Sequence, residues 1–327
     1  MSQNIPPKCL VGKDGWLFLD NDTNKIIQQI TGAYDGFNAA SADHWGRTIR
    51  RRAERLPVPY IFSVVPNKEC VYSQCLPDGI VVSDDRPLSM IAARLPETLY
   101  PLDALIRRSC DWPVFRKTDT HWNAQGAFIF AEEIAKRAET LGIASRQVHP
   151  GDVDWEPRGK RFGDLGGKIE PKRSSDLYGI VYRTGAVQQV FYNRLKNRGG
   201  IAVFRSDHSS ARAILFGDSF GIIHLAEILA WLFGEVTYVS SPSIDYDMIE
   251  RVKPDLVISE YAERFLVSRH KEDASFYLAA KAKVQSGVFS QEDLENFIQH
   301  GPDPVGALSG EQYLDLCSDV DAQLSRT

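Results

Sequence analysis

A serine and an aspartate–histidine pair in this sequence could together perform nucleophilic catalysis. Ser219 ends the motif Gly217-Asp218-Ser219, and Asp119 and His121 stand two positions apart earlier in the chain. A serine hydroxyl is a weak nucleophile at neutral pH and needs a base within hydrogen-bond reach, usually a histidine oriented by a carboxylate. The sequence therefore contains the three groups that serine-dependent acyl transfer requires.

Ser219 is predicted to lie between a strand and a helix. Residues 213–216 form an apolar run typical of a buried strand, and an apolar helix is predicted from about 222 to 233. Backbone N–H groups at a helix N-terminus stabilise negative charge, so this turn could hold both the serine and an oxyanion. Asp and Ser are also ordinary N-cap residues, and for this motif alone that structural interpretation stays open.

Asp119 and His121 are predicted to lie just before another helix. Apolar residues recur at three- and four-residue steps over 123–141, which predicts an amphipathic helix with Asn123 as its N-cap. Residues two apart in extended backbone point to the same side, so Asp119 could reach the imidazole of His121. A capping aspartate beside a structural histidine is the alternative for this motif alone, and the two motifs together favour catalysis.

Strands alternating with helices predict the scaffold. Strand-like apolar runs occur at residues 60–65, 213–216, 236–239 and 255–259. The alternation predicts an α/β fold with a mainly parallel sheet flanked by helices. Ligands bind beyond the carboxyl ends of the strands in such sheets, which would bring Ser219, Glu260 and Lys68 to one edge.

Two other regions of the chain have a different character. Residues from about 145 to 200 are rich in Gly, Arg and Asp, which predicts loops over the scaffold. After about residue 270 a polar helix and the break Gly301-Pro302-Asp303-Pro304 precede a short helical stretch. We predict a main domain over residues 1–270 and a small helical C-terminal appendage over residues 271–327.

Composition and charge exclude several classes of protein. Hydrophobic residues make up 43% and charged residues 25%, which is typical of a folded globular chain. A net charge of -5 gives no field that would attract nucleic acid, so no nucleic-acid partner is expected. The arginine-rich stretch 45–56 is predicted to be a helix with a solvated charged face.

The sequence also carries expectations about membranes, metals and compartment. We predict no membrane span, since no apolar run approaches the roughly 18 residues that a span needs. The start lacks a signal-peptide pattern, so we expect a cytoplasmic protein, or a periplasmic one if an export signal has been trimmed. Five scattered cysteines favour reduced thiols, and no Cys/His set has zinc spacing, so we predict no structural metal.

Five motifs occur in an order shared with a known family. They are Gly12-Lys13-Asp14-Gly15-Trp16-Leu17-Phe18, Pro66-Asn67-Lys68, Asp119-Thr120-His121-Trp122, Gly163-Asp164-Leu165 and Gly217-Asp218-Ser219-Phe220. With them the chain resembles the alginate O-acetyltransferases of the AlgJ/AlgX type over residues 8 to 270. The resemblance implies an SGNH hydrolase-like fold with a permuted motif order, and a Ser-His-Asp triad that moves acetyl groups on polysaccharide hydroxyls.

The resemblance also implies roles for individual residues. Ser219 would be the acyl acceptor, His121 the general base and then acid, and Asp119 the residue that holds the imidazole. An acyl-serine would pass its acyl group to water in an esterase or to a sugar hydroxyl in a transferase. Asp218 would then be structural. The predicted substrate-binding residues are Lys68, Glu260, Tyr261 and Arg264.

The sequence departs from the family pattern in two ways. SGNH hydrolases usually carry an Asn oxyanion donor after a later strand, where this chain has Glu260. An anionic Glu260 cannot donate, so a backbone N–H, Tyr261 or Arg264 would have to, while Glu260 and Arg264 could equally form an i,i+4 salt bridge. Periplasmic relatives receive acetyl groups across the membrane, so a cytoplasmic protein would use a soluble co-substrate such as acetyl-CoA; no bound cofactor is expected.

Partner and overall function keep alternatives open. Residues 308–320 are similar to segments found beside glycosyltransferases, which makes glycosyltransferases an expected partner class, although an amphipathic terminal helix explains the same pattern. The chain is then an O-acetyltransferase or carbohydrate esterase acting on a glycan, or a catalytically silent protein of the same fold that binds carbohydrate in a biosynthetic complex. The missing Asn favours the silent protein, whereas Ser219, His121 and Asp119 together favour the enzyme.

Overall fold

A computed structural model describes residues 9–286 and 306–324, apart from 196, 208, 209, 269, 271 and 273. Within these residues the strands are β1 (Cys9–Val11), β2 (Leu17–Leu19), β3 (Tyr60–Val65), β4 (Val153–Arg161), β5 (Ser175–Tyr182), β6 (Val187–Tyr192), β7 (Ile201–Ser206), β8 (Ala211–Gly217), β9 (Gly234–Ser240) and β10 (Leu256–Ala262). The α-helices are α1 (Ile26–Ile30), α2 (Ala39–Arg55), α3 (Lys68–Val71), α4 (Pro87–Ala92), α5 (Leu102–Ser109), α6 (Ala124–Thr140), α7 (Gly163–Gly166), α8 (Ala226–Phe233), α9 (Tyr246–Val252), α10 (Phe276–Gln285) and α11 (Gly310–Leu324).

The main sheet has the strand order β3-β10-β8-β9-β7-β6 among the described residues. Strands β3, β10, β8 and β9 pair in parallel, and β7 and β6 extend the sheet in antiparallel pairing. Every residue of β10 is buried, as expected for a parallel strand covered on both faces. The α/β fold with a sheet flanked by helices is thus confirmed, as a mixed sheet in which three of the five strand pairings among the described residues are parallel.

Alternate residues of the central strands build two separate cores. Ala213 and Leu215 of β8 face a cluster that contains Phe130 of α6 and Trp231 of α8. Ile214 of β8 faces the opposite cluster, together with side chains of α9, α10 and α11. The period of two along a strand therefore puts helices on both faces of the sheet, and leaves the strand ends free to carry polar side chains.

The C-terminal helices complete the second core. Phe276 of α10 and Leu316 and Val320 of α11 are buried in the same cluster as Ile214. A helical C-terminal piece is therefore present, and it packs on the sheet. The predicted boundary near residue 270 stays a prediction, and the predicted break Gly301-Pro302-Asp303-Pro304 lies outside the described residues.

The prediction of loops over residues 145–200 was wrong in part. Strands β4 and β5 form an antiparallel pair, and β6 is the edge strand of the main sheet. Only Val153 and Trp155 at the start of β4 alternate with polar residues and pack on the core, and the rest of the strand is exposed, so its sequence signal is short.

The solvated face predicted for the arginine-rich helix is also partly wrong. Arg52 of α2 is 1% exposed, and its guanidinium donates to both carboxylate oxygens of Glu272, at 3.0 and 2.6 Å. Guanidinium and carboxylate match in this two-point geometry, which allows the charge to be buried. None of the described helices is both long and apolar enough to span a membrane.

Candidate active site

The turn after β8 holds Ser219 at the carboxyl end of the sheet. Its neighbour Asp218 stabilises the turn. One carboxylate oxygen accepts a hydrogen bond from the backbone N–H of Phe220 and the other from that of Ala262, both at 2.8 Å. The hydroxyl of Tyr238 donates to the carbonyl of Asp218 at 2.7 Å. Asp218 thus anchors the Ser219 turn to β10.

Asp119 and His121 form the pair expected from their spacing. Oδ1 of Asp119 accepts from Nδ1 of His121 at 2.8 Å and from the backbone N–H of His121 at 3.0 Å. Oδ2 accepts from Nη1 of Arg116 at 2.7 Å and from the backbone N–H of Asp164 at 3.3 Å. Burial would raise the pKa of Asp119, but the hydrogen bonds and charge of His121 and the charge of Arg116 outweigh it and hold that pKa below its usual range.

His121 reaches Ser219 with its other ring nitrogen. Nε2 lies 2.8 Å from Oγ of Ser219. With the Nδ1 proton directed at Asp119, the tautomer assigned from this network leaves a lone pair on Nε2 that faces the serine hydroxyl. The three side chains therefore form one line of hydrogen bonds, in which a proton can pass from the serine to a histidine whose ring is fixed by a carboxylate.

Asp164 and Gly163 stabilise the loop that carries Asp119. Asp164 accepts from the backbone N–H of Thr120 at 2.7 Å and from its hydroxyl at 2.6 Å. Gly163 has φ of 70°, and a Cβ there would lie 2.3 Å from the carbonyl oxygen of Thr118. The close backbone contact therefore requires glycine at 163.

One group among the described residues brings together atoms of the kind that bind metals. Ligand atoms of Asp119, His121 and Asp164 all lie within 4.8 Å of one another. Both carboxylates and Nδ1 of the histidine are already engaged in the hydrogen bonds given above. The arrangement is satisfied as a hydrogen-bonded network.

With this geometry, comparison with known proteins places the chain in a family. The profile described as "SGNH hydrolase-like domain, acetyltransferase AlgX" matches residues 9–230. The chain belongs to this family. The resemblance of its five motifs to the AlgJ/AlgX type is thereby confirmed.

A curated relative matches about half of this chain. The "Probable alginate O-acetylase AlgJ" of Pseudomonas aeruginosa is 28% identical over 167 residues, which are 48% of this chain and 38% of that protein. The match thus spans well under half the length of that relative.

Two solved structures share the fold. The O-acetyltransferase domain of Pseudomonas putida AlgJ superposes with a TM-score of 0.54 at 18% identity, covering 81% of this chain and 94% of that one. Bacillus cereus PatB1 gives a TM-score of 0.57 at 16% identity, covering 81% and 98%. At these identities the likeness shows the SGNH-like fold alone.

Lys68, which the sequence predicted to bind substrate, is instead an internal brace in this AlgX-type domain. It is 3% exposed, and its ammonium group lies within 3.0 Å of the backbone carbonyl oxygens of Leu17, Arg116, Lys117 and Asp119. Burial lowers the pKa of Lys68 to about 7, against the opposing charges of nearby carboxylates. The prediction that Lys68 lines the cleft was therefore wrong, because its side chain points under the loop that carries Asp119.

A cleft of about 430 Å³ opens beside Ser219. Glu260 and Tyr261 line it as expected, with Tyr192, Tyr238 and Phe265. The cleft is large enough for an acyl group together with part of a sugar chain.

Tyr261 contributes its ring to the cleft, while its hydroxyl is occupied elsewhere. The hydroxyl accepts from Nη1 of Arg52 at 2.9 Å and donates to the carbonyl oxygen of Pro242. Burial raises the pKa of Tyr261 to about 12. Its single proton is therefore committed, and Tyr261 is a poor candidate for the oxyanion donor that the sequence left open.

Arg264 contacts the site through an aromatic ring. Its guanidinium lies 5.3 Å from the ring centroid of Phe220, and that ring is 4.9 Å from the ring of His121. No ion pair joins Arg264 to Glu260 in the described part of the chain, so the i,i+4 salt bridge considered from the sequence is absent there. Arg264 does not line the cleft beside Ser219, and it packs behind the ring that supports the histidine.

Arg116 is the functional residue that sequence reasoning missed. It alone among the side chains described here pairs with the second oxygen of Asp119, and that contact helps to orient the carboxylate together with the backbone N–H of Asp164. Its only sequence signal is its position three residues before Asp119. Asp164 did carry a signal, because Gly163-Asp164-Leu165 was one of the five motifs.

Proposed function

We propose that this protein is a serine-dependent O-acyltransferase or esterase that moves acetyl groups on a polysaccharide or glycan precursor. The line of contacts from Asp119 through His121 to Ser219, each 2.8 Å long, carries the proposal. Membership of an acetyltransferase family supports it, as does the printed description of AlgJ as a probable alginate O-acetylase.

In the first half-reaction Ser219 would take the acyl group. Oγ attacks the carbonyl carbon of an acetyl ester or thioester while Nε2 of His121 accepts the hydroxyl proton. The bond to the leaving group then breaks, and His121 returns the proton to the leaving oxygen or sulfur. Asp119 stays ionised throughout and stabilises the imidazolium that forms in between.

In the second half-reaction the acyl group would leave Ser219. A hydroxyl of the glycan attacks the acyl carbon, and His121 accepts its proton and passes it to the departing Oγ of Ser219. Water in place of the sugar gives an esterase. A glycan that fills the cleft and excludes water therefore favours transfer over hydrolysis.

Donor, partners and compartment follow from the same proposal. We propose a soluble donor such as acetyl-CoA if the protein is cytoplasmic, and a membrane-delivered acetyl group if it is periplasmic. Glycosyltransferases are proposed partners within a polysaccharide-synthesising complex. The case for residues 308–320 as a partner-binding segment is weaker, because Leu308 and Leu316 are buried within this chain.

The experiment measures acetate release and sugar acetylation separately. The protein is incubated with an activated acetyl ester, with and without alginate oligosaccharides, and products are followed by mass spectrometry. Ser219→Ala and His121→Ala should each lower turnover at least about a thousandfold, and the double variant should be little worse, because the residues act as a unit. Ser109→Ala, at the exposed end of α5 and outside the cleft lining, is the control and should keep its activity.

The catalytically silent alternative predicts a different result. It is favoured by the absent Asn donor and by the committed hydroxyl of Tyr261. A silent protein would bind the oligosaccharide with the same affinity in wild type and Ser219→Ala, and would release no acetate above the level of the Ser219→Ala variant.

A further inference from the structure

We propose that Glu260 is a neutral carboxylic acid whose Oε1 proton donates a hydrogen bond to the carbonyl oxygen of the acyl group on Ser219. The inference rests on the proposed function, since it needs an acyl-serine. It assigns Glu260 the donor role that SGNH hydrolases usually give to an Asn side chain.

Glu260 is placed beside the turn that carries the nucleophile. Its strand β10 pairs in parallel with β8, in register from Leu256 opposite Ala213 to Ser259 opposite Phe216. Oε2 of Glu260 accepts from the backbone N–H of Asp218 at 3.2 Å, one residue before Ser219. Glu260 and Ser219 line the same cleft.

Two glycines leave the space that this carboxyl group occupies. A Cβ at Gly217 would lie 2.5 Å from Oε2 of Glu260, and a Cβ at Gly221 would lie 3.2 Å from the same atom. The first distance is shorter than any tolerable contact with the rigidly held carboxyl. The glycines on both sides of Ser219 therefore form a seat for the Glu260 carboxyl group.

One oxygen of this carboxyl group has no partner. Oε1 is buried and makes no hydrogen bond to any described residue, and Glu260 as a whole is 1% exposed. An unpaired ionised carboxylate in such a place is strongly unfavourable, and a buried polar atom left unsatisfied is expected where a ligand will complete it. Glu260 lines the cleft beside Ser219, so we infer that a ligand bound there supplies the missing partner.

Burial and the neighbouring Asp218 carboxylate favour the protonated form of Glu260. Burial raises its pKa well above the usual range, the Asp218 carboxylate adds to this, and the Arg264 guanidinium opposes it. The third neighbouring titratable group is the Tyr238 hydroxyl, whose own pKa is raised by burial. Oε1 of Glu260 makes no hydrogen bond to any described residue, so the Asp218 carboxylate does not accept a proton from it.

The position of the proton follows from these contacts. Oε2 accepts the N–H of Asp218, so the proton resides on Oε1, the oxygen without a partner. A neutral acid with a free O–H donates as an amide N–H does, and it carries no negative charge to repel an oxyanion. Glu260 therefore suits a carbonyl oxygen as its ligand, and an ionised Glu260 would not.

The test reads the acyl carbonyl directly. Ser219 is acetylated with an activated ester carrying ¹³C at the carbonyl, and infrared difference spectra are recorded for wild type, Glu260→Gln and Glu260→Met. A hydrogen bond lowers the C=O stretching frequency. Wild type and Glu260→Gln should therefore share a low-frequency band, and Glu260→Met should show a higher one. Glu260→Met should also deacylate about 100- to 1,000-fold more slowly than wild type, which is the effect of losing one oxyanion donor.

A second measurement keeps the proposal falsifiable if Glu260→Met does not fold. The deacylation rate of wild type should fall at alkaline pH as Glu260 ionises, while that of Glu260→Gln should not. Identical bands in the folded variants, or identical pH profiles of wild type and Glu260→Gln, would overturn the inference alone. Absence of any acyl band on wild type would instead contradict the proposed function, and the inference with it.

Discussion

Arg116 donates from Nη1 to the Asp119 oxygen that His121 does not use, at 2.7 Å. Both oxygens of the carboxylate are therefore hydrogen-bonded to side chains, Oδ1 to the imidazole of His121 and Oδ2 to the guanidinium of Arg116. Nε and Nη2 of Arg116 are buried and have no partner among the residues that the structure describes, so the arginine is kept in place at a desolvation cost. Such a side chain positions the carboxylate and does not touch the reacting atoms.

We expect Arg116→Met to lower both stability and turnover. A hydrogen bond to a charged group contributes about 1.5–3 kcal/mol, and the lower end applies because two guanidinium nitrogens are unsatisfied in the wild type. The pKa of Asp119 is held below its unfolded value, so this stabilisation is present above the unfolded pKa of about 4 and is lost as the pH falls further. The wild-type advantage in urea unfolding should therefore be full at pH 7 and shrink below about pH 4.

The control for Arg116 is an exposed pair. Arg183 pairs with Asp154 at the surface, and Arg183→Met should change the free energy of unfolding by about 0–1 kcal/mol. An Arg116→Met variant as stable as Arg183→Met at pH 7, with unchanged turnover, would remove Arg116 from the positioning role.

Lys68→Met should destabilise the protein and inactivate it together. The substitution removes the ammonium donor from four backbone carbonyls, including that of Asp119. A buried carbonyl left without its hydrogen bond costs about 1–3 kcal/mol, so the free energy of unfolding should fall by about that amount. Chemical denaturation checks this against Lys136→Met, a surface lysine paired with Glu133, which should stay within about 0.5 kcal/mol of wild type. A stable, fully active Lys68→Met would show that the loop needs no internal brace.

Gly163→Ala and Gly159→Ala isolate one backbone contact. Both glycines have positive φ, 70° and 83°, so both substitutions carry similar backbone strain. A Cβ at position 163 would also clash with the carbonyl oxygen of Thr118. No atom of the described residues lies within 4 Å of a Cβ built at position 159. We expect Gly159→Ala to keep its ester turnover and Gly163→Ala to lose most of it by displacing Asp119. Equal turnover of the two variants would contradict this account of the loop.

Much of the scaffold could be predicted from local pattern. The apolar runs of β8 and β10 and the N-cap of α6 at Asn123 are signals contained in a few neighbouring residues, and Asn123 does accept from the backbone N–H of Gly126. The pairing of Ser219 with His121 needed more, because the two residues are 98 positions apart. Their residue types suggested the pairing, and the order of the motifs, shared with a known family, supported it.

The wrong predictions concern residues whose environment depends on the direction of the side chain or on a partner far away in the sequence. A strand-end rule brings Lys68 to the right edge but does not say that its side chain turns under the loop. Arg52 is buried because Glu272, 220 positions away, neutralises it, and nothing near Arg52 indicates this. The raised pKa of Glu260 could not be predicted for the same reason, since the burial and the Asp218 carboxylate that raise it are supplied by the folded chain.

Two leucines of α11 test the packing of the C-terminal helices. Leu316 is fully buried against the sheet, while Leu314 is 69% exposed. Leu316→Ala should cost about 2–5 kcal/mol and Leu314→Ala less than about 0.5 kcal/mol. Thermal unfolding gives both values. Turnover of either variant should be unchanged where it is folded, and loss of turnover in a folded Leu316→Ala would mean that the tail contributes to the active site.

The central claim is that Ser219 becomes acylated, and acid-quenched peptide mass spectrometry tests it most directly. Wild type, Ser219→Ala and His121→Ala are mixed briefly with an activated acetyl ester, and each peptide is examined for an added acetyl group. Cys110 is an exposed thiol that can also react, so the comparison between variants decides. We predict acetyl on the Ser219 peptide of wild type and none on that peptide in either variant. Acetyl groups found equally in wild type and Ser219→Ala, with none on Ser219 itself, would contradict the account.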